Sequence, residues 1–258
     1  MRADMVIKLG GSAITHKDVP MSPNMPLIEQ IAQEFSSSWN GRRVLLVHGG
    51  GSFGHHAAMK YIDGSGKILD PRGMAEIRHA MHRLTSLLAE AFLGRGVPFF
   101  AVDPSACFLC EEEEGGGFKI KPFLRPVELV LEAGLLPSLG GDIVISTMGR
   151  GRILSGDTIA RMLALASSAR LLAFGTDVDG YLEGGVPLRK VGRNSLQGIV
   201  AGAKGRSNDV TGGMAGKLME ISEYFSSGGG RVLIFNASRP GNVARLLLGE
   251  EVEGTYIE

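Results

Sequence analysis

The stretch Val44-Leu-Leu-Val-His48-Gly-Gly-Gly-Ser-Phe-Gly-His55-His56 decides how this chain folds and indicates what it binds. Its first four residues form an apolar run that predicts a buried strand, and three glycines follow. Because glycine leaves the backbone N–H groups unshielded, such a loop can surround an anion at close range. His55 and His56 lie at the far end of the loop, where an imidazole could reach the same anion. The stretch therefore predicts a strand followed by an anion-binding loop.

The N-terminal segment repeats this pattern. Met5 to Leu9 is a short apolar run that carries Lys8, and Gly10-Gly11-Ser12 follows it, with Lys17 five residues later. Two strand-to-glycine loops with cations nearby predict that two phosphate groups are held side by side. Phosphoryl transfer needs this arrangement, because its transition state spreads negative charge over oxygens that fixed donors and cations neutralise.

The composition argues against several other classes of protein. The 258 residues include 27 basic and 27 acidic side chains, so no basic excess supports non-specific nucleic-acid binding. No apolar run approaches the roughly 18 residues of a membrane span, and the N-terminus enters a strand without a signal peptide. Cys107 and Cys110 form a single C-x-x-C without a second pair, so we expect ordinary thiols and no zinc site. We therefore expect a cytoplasmic enzyme that binds neither nucleic acid nor membrane.

Alternating apolar patterns predict the fold class. Strands are expected at residues 5–9, 43–48, 97–102, 135–139, 169–175 and 231–236, and helices at 26–35, 73–93, 129–133, 158–165 and 214–225. Because strands and helices alternate, we predict an α/β fold, a three-layer αβα sandwich with a mainly parallel central sheet. Hairpin insertions are expected at 106–122, with a tip at 111–117, and at 141–155, and the Gly-rich, polar segment 183–211 is expected to be rich in loops.

The domain organisation follows from length and the lack of a linker. No Pro- or Ser-rich segment divides the chain, so we predict a single domain over residues 1–258. Within it we expect an N-terminal phosphate-acceptor lobe, roughly residues 1–165, and a C-terminal nucleotide lobe, roughly 166–258. The active site should lie at the carboxyl ends of the strands.

Two aspartates are candidates for the site, and each has a second interpretation. Asp157, in Ser155-Gly-Asp-Thr158, could cap the helix that follows, or it could orient the ammonium groups of Lys8 and Lys217, and these roles are compatible. Asp177 follows another apolar run, in Thr176-Asp-Val-Asp-Gly180. It could accept hydrogen bonds from a ribose or base, or it could belong to a turn, because Asp-Gly is a strong turn signal.

Lys217 closes the stretch Asp209-Val-Thr-Gly-Gly-Met-Ala-Gly-Lys217, and a lysine in the first turn of a helix after glycines predicts an anion site. The stretch is not a Walker A loop, because its first glycine falls one position late and Leu218 replaces Ser or Thr. Gly49-x-Gly51-x-x-Gly54 formally matches a dinucleotide fingerprint. No second strand with a terminal acidic residue follows about 20 positions later, so a Rossmann dehydrogenase is rejected.

Taken together, these motifs resemble the amino acid kinase superfamily and extend over nearly the whole chain. They are Lys8-Leu-Gly-Gly-Ser12, His48-Gly-Gly-Gly51, Gly141-Asp142, Ser155-Gly-Asp157, Thr176-Asp-Val-Asp-Gly180 and Thr211-Gly-Gly-Met-x-x-Lys217. Gly-Ser-Phe-Gly-His55 resembles the isopentenyl phosphate kinases, in which a histidine at this position binds the substrate phosphate. Fosfomycin kinases are similar there, whereas the acetylglutamate, glutamate and aspartate kinases bind carboxylates and lack this histidine.

The resemblance implies a role for each matching residue. ATP would be bound by Lys8, Gly10, Gly11, Ser12, Gly51, Asp177, Gly213 and Lys217. The phosphorylated acceptor would be held by Gly50, Gly54, His55 and Gly156. Lys17 would stabilise the transition state and Asp157 would orient the two lysines, so the catalytic set is Lys8, Lys17, His55, Asp157 and Lys217. Mg²⁺ would be held mainly by the ATP phosphates, with no protein metal ligand, and the enzyme would be a homodimer.

The implied reaction is the ATP-dependent conversion of isopentenyl phosphate to isopentenyl diphosphate, as in the alternative mevalonate pathway. A phosphomonoester oxygen is nucleophilic without a general base, which suits a site that lacks an obvious one. A kinase for a phosphonate such as fosfomycin or for a nucleoside monophosphate, and a non-catalytic nucleotide sensor, are the alternatives. The stripe Met74, Ile77, Met81 and Leu84 could line a slot for an isoprenoid tail, or could be ordinary helix core.

Overall fold

The computed structural model describes residues 1–113, 117–204 and 213–258. Its strands are β1 Met5–Leu9, β2 Val44–His48, β3 Lys67–Ile68, β4 Phe99–Ala101, β5 Phe108–Glu112, β6 Phe118–Pro122, β7 Leu136–Gly140, β8 Asp142–Ile145, β9 Gly151–Leu154, β10 Leu171–Thr176, β11 Leu182–Glu183, β12 Val186–Pro187, β13 Lys190–Val191, β14 Arg231–Asn236 and β15 Gly254–Ile257. Its helices are α1 Gly11–Ile14, α2 Met25–Ser38, α3 Gly51–Met59, α4 Pro71–Leu93, α5 Pro104–Cys107, α6 Arg125–Glu132, α7 Gly156–Ser167, α8 Arg193–Lys204, α9 Gly213–Ser226 and α10 Asn242–Leu248.

Eight strands form the central sheet in the order β13-β15-β14-β10-β1-β2-β7-β4. All neighbours in this sheet pair in parallel except β14 and β15, which are antiparallel. The α/β class with a mainly parallel sheet is thus confirmed, and all six predicted strands are present. β1 lies at the centre because every residue of its MVIKL run is buried, as expected for a strand covered on both faces.

Helices cover both faces of the sheet, and the two-residue period of the strands sorts side chains between them. Ile7 and Leu9 of β1 pack on the face covered by α2, α4 and α10. Val6 packs on the other face, with residues of α7 and α9. Because Lys8 alternates with Ile7 and Leu9, it points to the α7 and α9 side. This parity decides which helices can contact its ammonium group.

The two hairpin insertions are confirmed. β5 pairs antiparallel with β6, and β8 pairs antiparallel with β9, to which β3 adds a third strand. Part of the predicted hairpin tip, residues 114–116, lies outside the described residues. The predicted division into two lobes near residue 165 stays a prediction.

The prediction of loops over residues 183–211 is wrong for much of the segment. Three two-residue strands, β11 to β13, are followed by the helix α8, Arg193–Lys204, and residues 205–211 lie outside the described part. Leu196 of α8 is buried, and Ile199 and Val200 pack against the same core. Their i, i+3, i+4 spacing is typical of a helix, but the glycine and polar residues around them favoured the loop prediction. In the described part of the chain, no helix is long and apolar enough to span a membrane.

Candidate active site

The predicted phosphate-binding loops meet at the carboxyl edge of the sheet. β1 pairs in parallel with β2 on one side and with β10 on the other, so the loops after these three strands are adjacent. The chain leaves β1 for β2 on one side and returns to β10 on the other. A crevice forms at such a reversal of strand order, and ligands of open α/β sheets bind there.

The glycines of these loops are required partly because the loops touch one another. A Cβ built on Gly49 would lie 2.7 Å from the backbone nitrogen of Gly11. Gly51 has a φ of 47°, and a Cβ there would overlap Oγ1 of Thr15. That hydroxyl donates to the Gly11 carbonyl at 2.7 Å and accepts from the Ser52 N–H at 2.9 Å, joining the two loops. Thr15 carries no motif and was not singled out from the sequence.

Lys8, Asp157 and Lys217 form a buried cluster beside these loops. The Lys8 ammonium lies 2.7 Å from Oδ1 of Asp157, and the Lys217 ammonium lies 3.3 and 3.4 Å from Oδ1 and Oδ2. Lys8 is only 6% exposed and Lys217 only 5%. Lys217 also lies 4.8 Å from the centroid of the Phe174 ring, whose face attracts a cation. Residues from β1, α7 and α9 thus meet at one carboxylate.

The cluster carries an excess positive charge in a buried place, and its pKa values reflect this. Burial alone would raise the pKa of Asp157, but Lys217 and Lys8 outweigh that effect and lower it to about 2. Burial lowers the pKa of Lys217 to about 8, with Asp157 opposing the shift and Lys8 adding to it. Two ammonium groups and one carboxylate leave one net positive charge aimed at the crevice, which favours an anion.

The two interpretations of the Ser155-to-Thr158 segment now separate. Ser155 caps α7, because its hydroxyl oxygen accepts the Thr158 N–H at 3.0 Å. Asp157 lies in the first turn and binds the two lysines. A Cβ built on Gly156 would lie 2.9 Å from the His48 carbonyl oxygen, so Gly156 lets α7 begin directly against the end of β2.

His55 and His56 lie on α3, which begins inside the glycine loop, and His55 is half-buried. Nε2 of His56 is 3.0 Å from the carbonyl oxygen of Lys17. A carbonyl can only accept, so this nitrogen carries the proton. Lys17 is exposed, and its segment is tethered to α3 through this bond. Lys8 and Lys217, by contrast, are buried and both contact Asp157.

His48, the last residue of β2, lies fully buried beneath the loops. Burial lowers its pKa to about 4, and the Lys8 charge also lowers it, so the imidazole is neutral at physiological pH. Its Nε2 lies 3.1 Å from Oγ1 of Thr85 on α4. His48 is therefore a buried, neutral side chain packed beneath the loops.

The predicted nucleotide side is formed by the ends of β1, β10 and β14. The Ser12 hydroxyl donates to the Asp177 carboxylate at 2.9 Å, which joins two predicted ATP ligands. Asp179 accepts from Asn236 at 2.8 Å and from Arg239 at 2.6 Å. Gly213 begins α9 with a φ of 45°, and the preceding part of its motif, residues 209–212, lies outside the described residues.

The predicted tail-binding stripe on α4 lies against the acceptor loop and in the core. A Cβ on Gly54 would lie 2.9 Å from Sδ of Met81, and one on Gly50 would lie 3.2 Å from it. Ile77, Met81 and Leu84 are buried. Three of the four stripe residues are therefore packed core, Met74 is half-buried, and Met81 supports the loop from beneath. Whether it also admits an alkyl tail stays a prediction.

Arg78 of α4 lies beside the Gly141-Asp142 motif. Arg78 binds the Asp142 carboxylate and lies 2.6 Å from Asp103. Burial raises the pKa of Asp142 to about 6, and the Arg78 charge opposes that shift. Because Arg78 already faces two carboxylates, it is not a ready clamp for a carboxylate substrate.

Among the described residues, no group of three or more His, Cys, Asp or Glu side chains is placed to hold a metal ion. Both oxygens of Asp157 are engaged by lysines. The two cysteines are buried free thiols, and burial raises the pKa of Cys107 to about 11 and also raises that of Cys110, which keeps both in the less reactive thiol form.

Known proteins with similar sequences and structures lead to the same family. The amino acid kinase family matches residues 5–236. The isopentenyl phosphate kinases of Methanocaldococcus jannaschii and Methanothermobacter thermautotrophicus are 33% and 32% identical to the chain, in each case over 98% of both chains. An isopentenyl phosphate kinase crystal structure superposes with a TM-score of 0.78 at 29% identity, covering 98% of this chain and 99% of the other. The chain therefore belongs to the amino acid kinase family, within its isopentenyl phosphate kinase group.

Proposed function

We propose that the protein transfers the γ-phosphoryl group of ATP to isopentenyl phosphate, forming isopentenyl diphosphate and ADP. The observation that carries this proposal is the buried Lys8–Asp157–Lys217 cluster beside two interlocked glycine loops. It presents net positive charge at the sheet edge where phosphates are expected. The similarity to isopentenyl phosphate kinases over nearly the whole chain supports this acceptor.

In this mechanism the ATP phosphates lie against Gly10, Gly11 and Ser12, where Lys8 and Lys217 neutralise them. Asp157 holds both ammonium groups in place before ATP arrives, so little reorganisation is needed during the reaction. Asp177, Gly51 and Gly213 complete the nucleotide site.

The acceptor phosphate is held by Gly50, Gly54, Gly156 and His55. One of its oxygens attacks the γ-phosphorus in line, a P–O bond forms, and the bond to the β-phosphate oxygen breaks to release ADP. The acceptor oxygen is already ionised, so no general base is required. Lys17 stabilises the charge on the transferring group.

The predicted Mg²⁺ would be held mainly by the ATP phosphates and would neutralise part of their charge. The Asp157 carboxylate is already engaged by Lys8 and Lys217, which fits a metal that the ATP phosphates hold. We also propose a cytoplasmic homodimer, as the family resemblance implies. Light scattering should then give twice the chain mass of 27.4 kDa.

A coupled assay of ADP release with ATP and Mg²⁺ tests the proposal, with isopentenyl phosphate, fosfomycin and UMP as separate acceptors. We expect fast turnover on isopentenyl phosphate and its loss in His55→Ala. Turnover on fosfomycin or UMP alone would show that the protein is a kinase with a different acceptor. ATP binding without transfer to any acceptor would favour the sensor alternative.

A further inference from the structure

A second polar contact joins α7 to α9, one turn away from the Asp157–Lys217 pair. Oε1 of Glu220 accepts from the Thr158 hydroxyl at 2.7 Å, and Oε2 accepts from Nε of Arg161 at 2.5 Å. Thr158 Oγ1 also lies 2.8 Å from the hydroxyl of Ser155, the residue that caps α7. Glu220 is therefore tied to the same helix end that presents Asp157.

The two contacts follow from the spacing of residues on each helix. Lys217 and Glu220 are three residues apart on α9, and Asp157 and Arg161 are four apart on α7, so each pair shares one face of its helix. The helices pack against each other through apolar side chains of the same core, including Ile159, Leu163, Leu218 and Ile221. In chain order, α7 presents Asp157 and then Arg161 along this contact. The facing helix α9 presents Lys217 and then Glu220, which have the opposite charges.

This charge order specifies how α9 lies against α7. Moving α9 by one turn along α7 would bring Lys217 toward Arg161, or Glu220 toward Asp157, and like charges would face each other at partly buried positions. Such a juxtaposition is unfavourable. Lys217 is carried by α9, so the position of its ammonium group, 3.3 Å from Oδ1 of Asp157, depends on where α9 lies.

We propose that Glu220 is a positioning residue for phosphoryl transfer, which holds α9 against α7 so that Lys217 meets Asp157 and the ATP phosphates. Glu220 does not touch substrate in this scheme and acts through Lys217. The inference rests on the proposed kinase activity. It predicts that removing the Glu220 carboxylate weakens nucleotide binding and phosphoryl transfer when Lys217 is present, and has little effect when Lys217 is absent.

A double-mutant cycle between Glu220→Ala and Lys217→Ala tests this inference. The readouts are kcat with isopentenyl phosphate and the Kd of a non-hydrolysable ATP analogue measured without acceptor. We expect Glu220→Ala to lower kcat and raise the Kd by about tenfold in the wild-type background, but by less than about twofold in the Lys217→Ala background. Equal losses in both backgrounds would overturn the inference, because the effect would then be independent of Lys217.

Glu128→Ala is the matched control. The Glu128 side chain is 23% exposed, like that of Glu220. It pairs with Arg125 at a distance of 2.7 Å, and this pair is remote from the lysine cluster. We expect both readouts to stay within about twofold of wild type for this control, and a tenfold change would overturn the inference. If Glu220→Ala does not fold, Glu220→Gln serves in the same cycle, since its amide oxygen can still accept from Thr158 while its pairing with Arg161 is lost.

The nucleotide measurement also separates this inference from the proposed function. Wild-type protein that fails to turn over isopentenyl phosphate would overturn the proposed acceptor. The Kd cycle would still decide the role of Glu220, because it contains no acceptor.

Discussion

Lys8 and Lys217 bring their ammonium groups to the same carboxylate oxygen, Oδ1 of Asp157, at 2.7 and 3.3 Å. The two lysines are 209 positions apart in the sequence, and they come from a central strand and a covering helix. Without the carboxylate, two like charges would be buried together. Asp157 therefore supplies the counter-charge for both ammonium groups.

Replacing Asp157 by Asn should be costly for both stability and activity. The amide leaves two buried ammonium groups without a counter-charge, so we expect the free energy of unfolding to fall by about 3 kcal/mol and kcat to fall by about 10². Urea unfolding and ADP release measure these effects. Ser155→Ala removes the cap of the same helix and should cost only about 1 kcal/mol. Equal losses in the two variants would contradict a special role for the Asp157 charge.

Activity should decline at alkaline pH. Burial lowers the pKa of Lys217 to about 8, with Asp157 opposing and Lys8 adding to the shift, so the free enzyme loses this positive charge as pH rises through that value. We expect kcat/KM for ATP, which reports on the free enzyme, to fall above about pH 8. In Lys217→Arg the decline should move to higher pH, because a guanidinium stays charged. A wild-type profile that is flat to pH 9.5 would contradict this assignment.

Gly51→Ala should disrupt the junction of the two glycine loops. A side chain at Gly51 meets both an unfavourable φ of 47° and the hydroxyl of Thr15. We expect a loss of more than about 3 kcal/mol in the free energy of unfolding. Gly41→Ala is the control, because Gly41 has a φ of 78° but no atom within 4 Å of a built Cβ. It should cost only about 1–2 kcal/mol, and similar losses would show that backbone strain alone explains both.

His56→Ala should impair transfer more than nucleotide binding. The imidazole holds the Lys17 carbonyl at 3.0 Å, so its removal frees the segment that carries the predicted transition-state lysine. We expect kcat to fall by about tenfold, with KM for ATP changed by less than about twofold. His56→Gln, which can still donate from its amide, should recover part of the rate. An unchanged kcat in His56→Ala would rule out this tether.

Met81→Ala tests the tail-binding interpretation of the α4 stripe. The change opens a cavity beneath Gly50 and Gly54 and should cost about 3 kcal/mol. If an alkyl tail enters there, the ratio of kcat/KM for longer alkyl phosphates to that for isopentenyl phosphate should rise. Leu88→Ala, on the same helix and equally buried, should destabilise similarly with no change in this ratio. If this ratio of kcat/KM values is the same in both variants, the α4 stripe is helix core and does not bind the tail.

Much of the architecture could be predicted because apolar runs and glycines are local signals. The buried β1 and β2 runs, each followed by glycines, indicated parallel strands that end in anion-binding loops. The same reasoning failed for residues 193–204, where glycines and polar residues outnumber the apolar residues Leu196, Ile199 and Val200 that pack the helix on the core. Where a segment has few apolar residues, tertiary contacts decide between loop and helix.

The sequence by itself determined the chemistry available: three lysines, one aspartate and the glycine loops, in an order that resembles a known kinase family. Only the tertiary structure decided which of these groups meet. Because side chains alternate along β1, Lys8 faces α7. Ser155 caps that helix, which leaves the Asp157 carboxylate to contact the lysines, and Glu220 of α9 bonds to the same helix. Such contacts join residues far apart in the chain. They depend on how helices pack on the sheet, and no local sequence pattern encodes that packing.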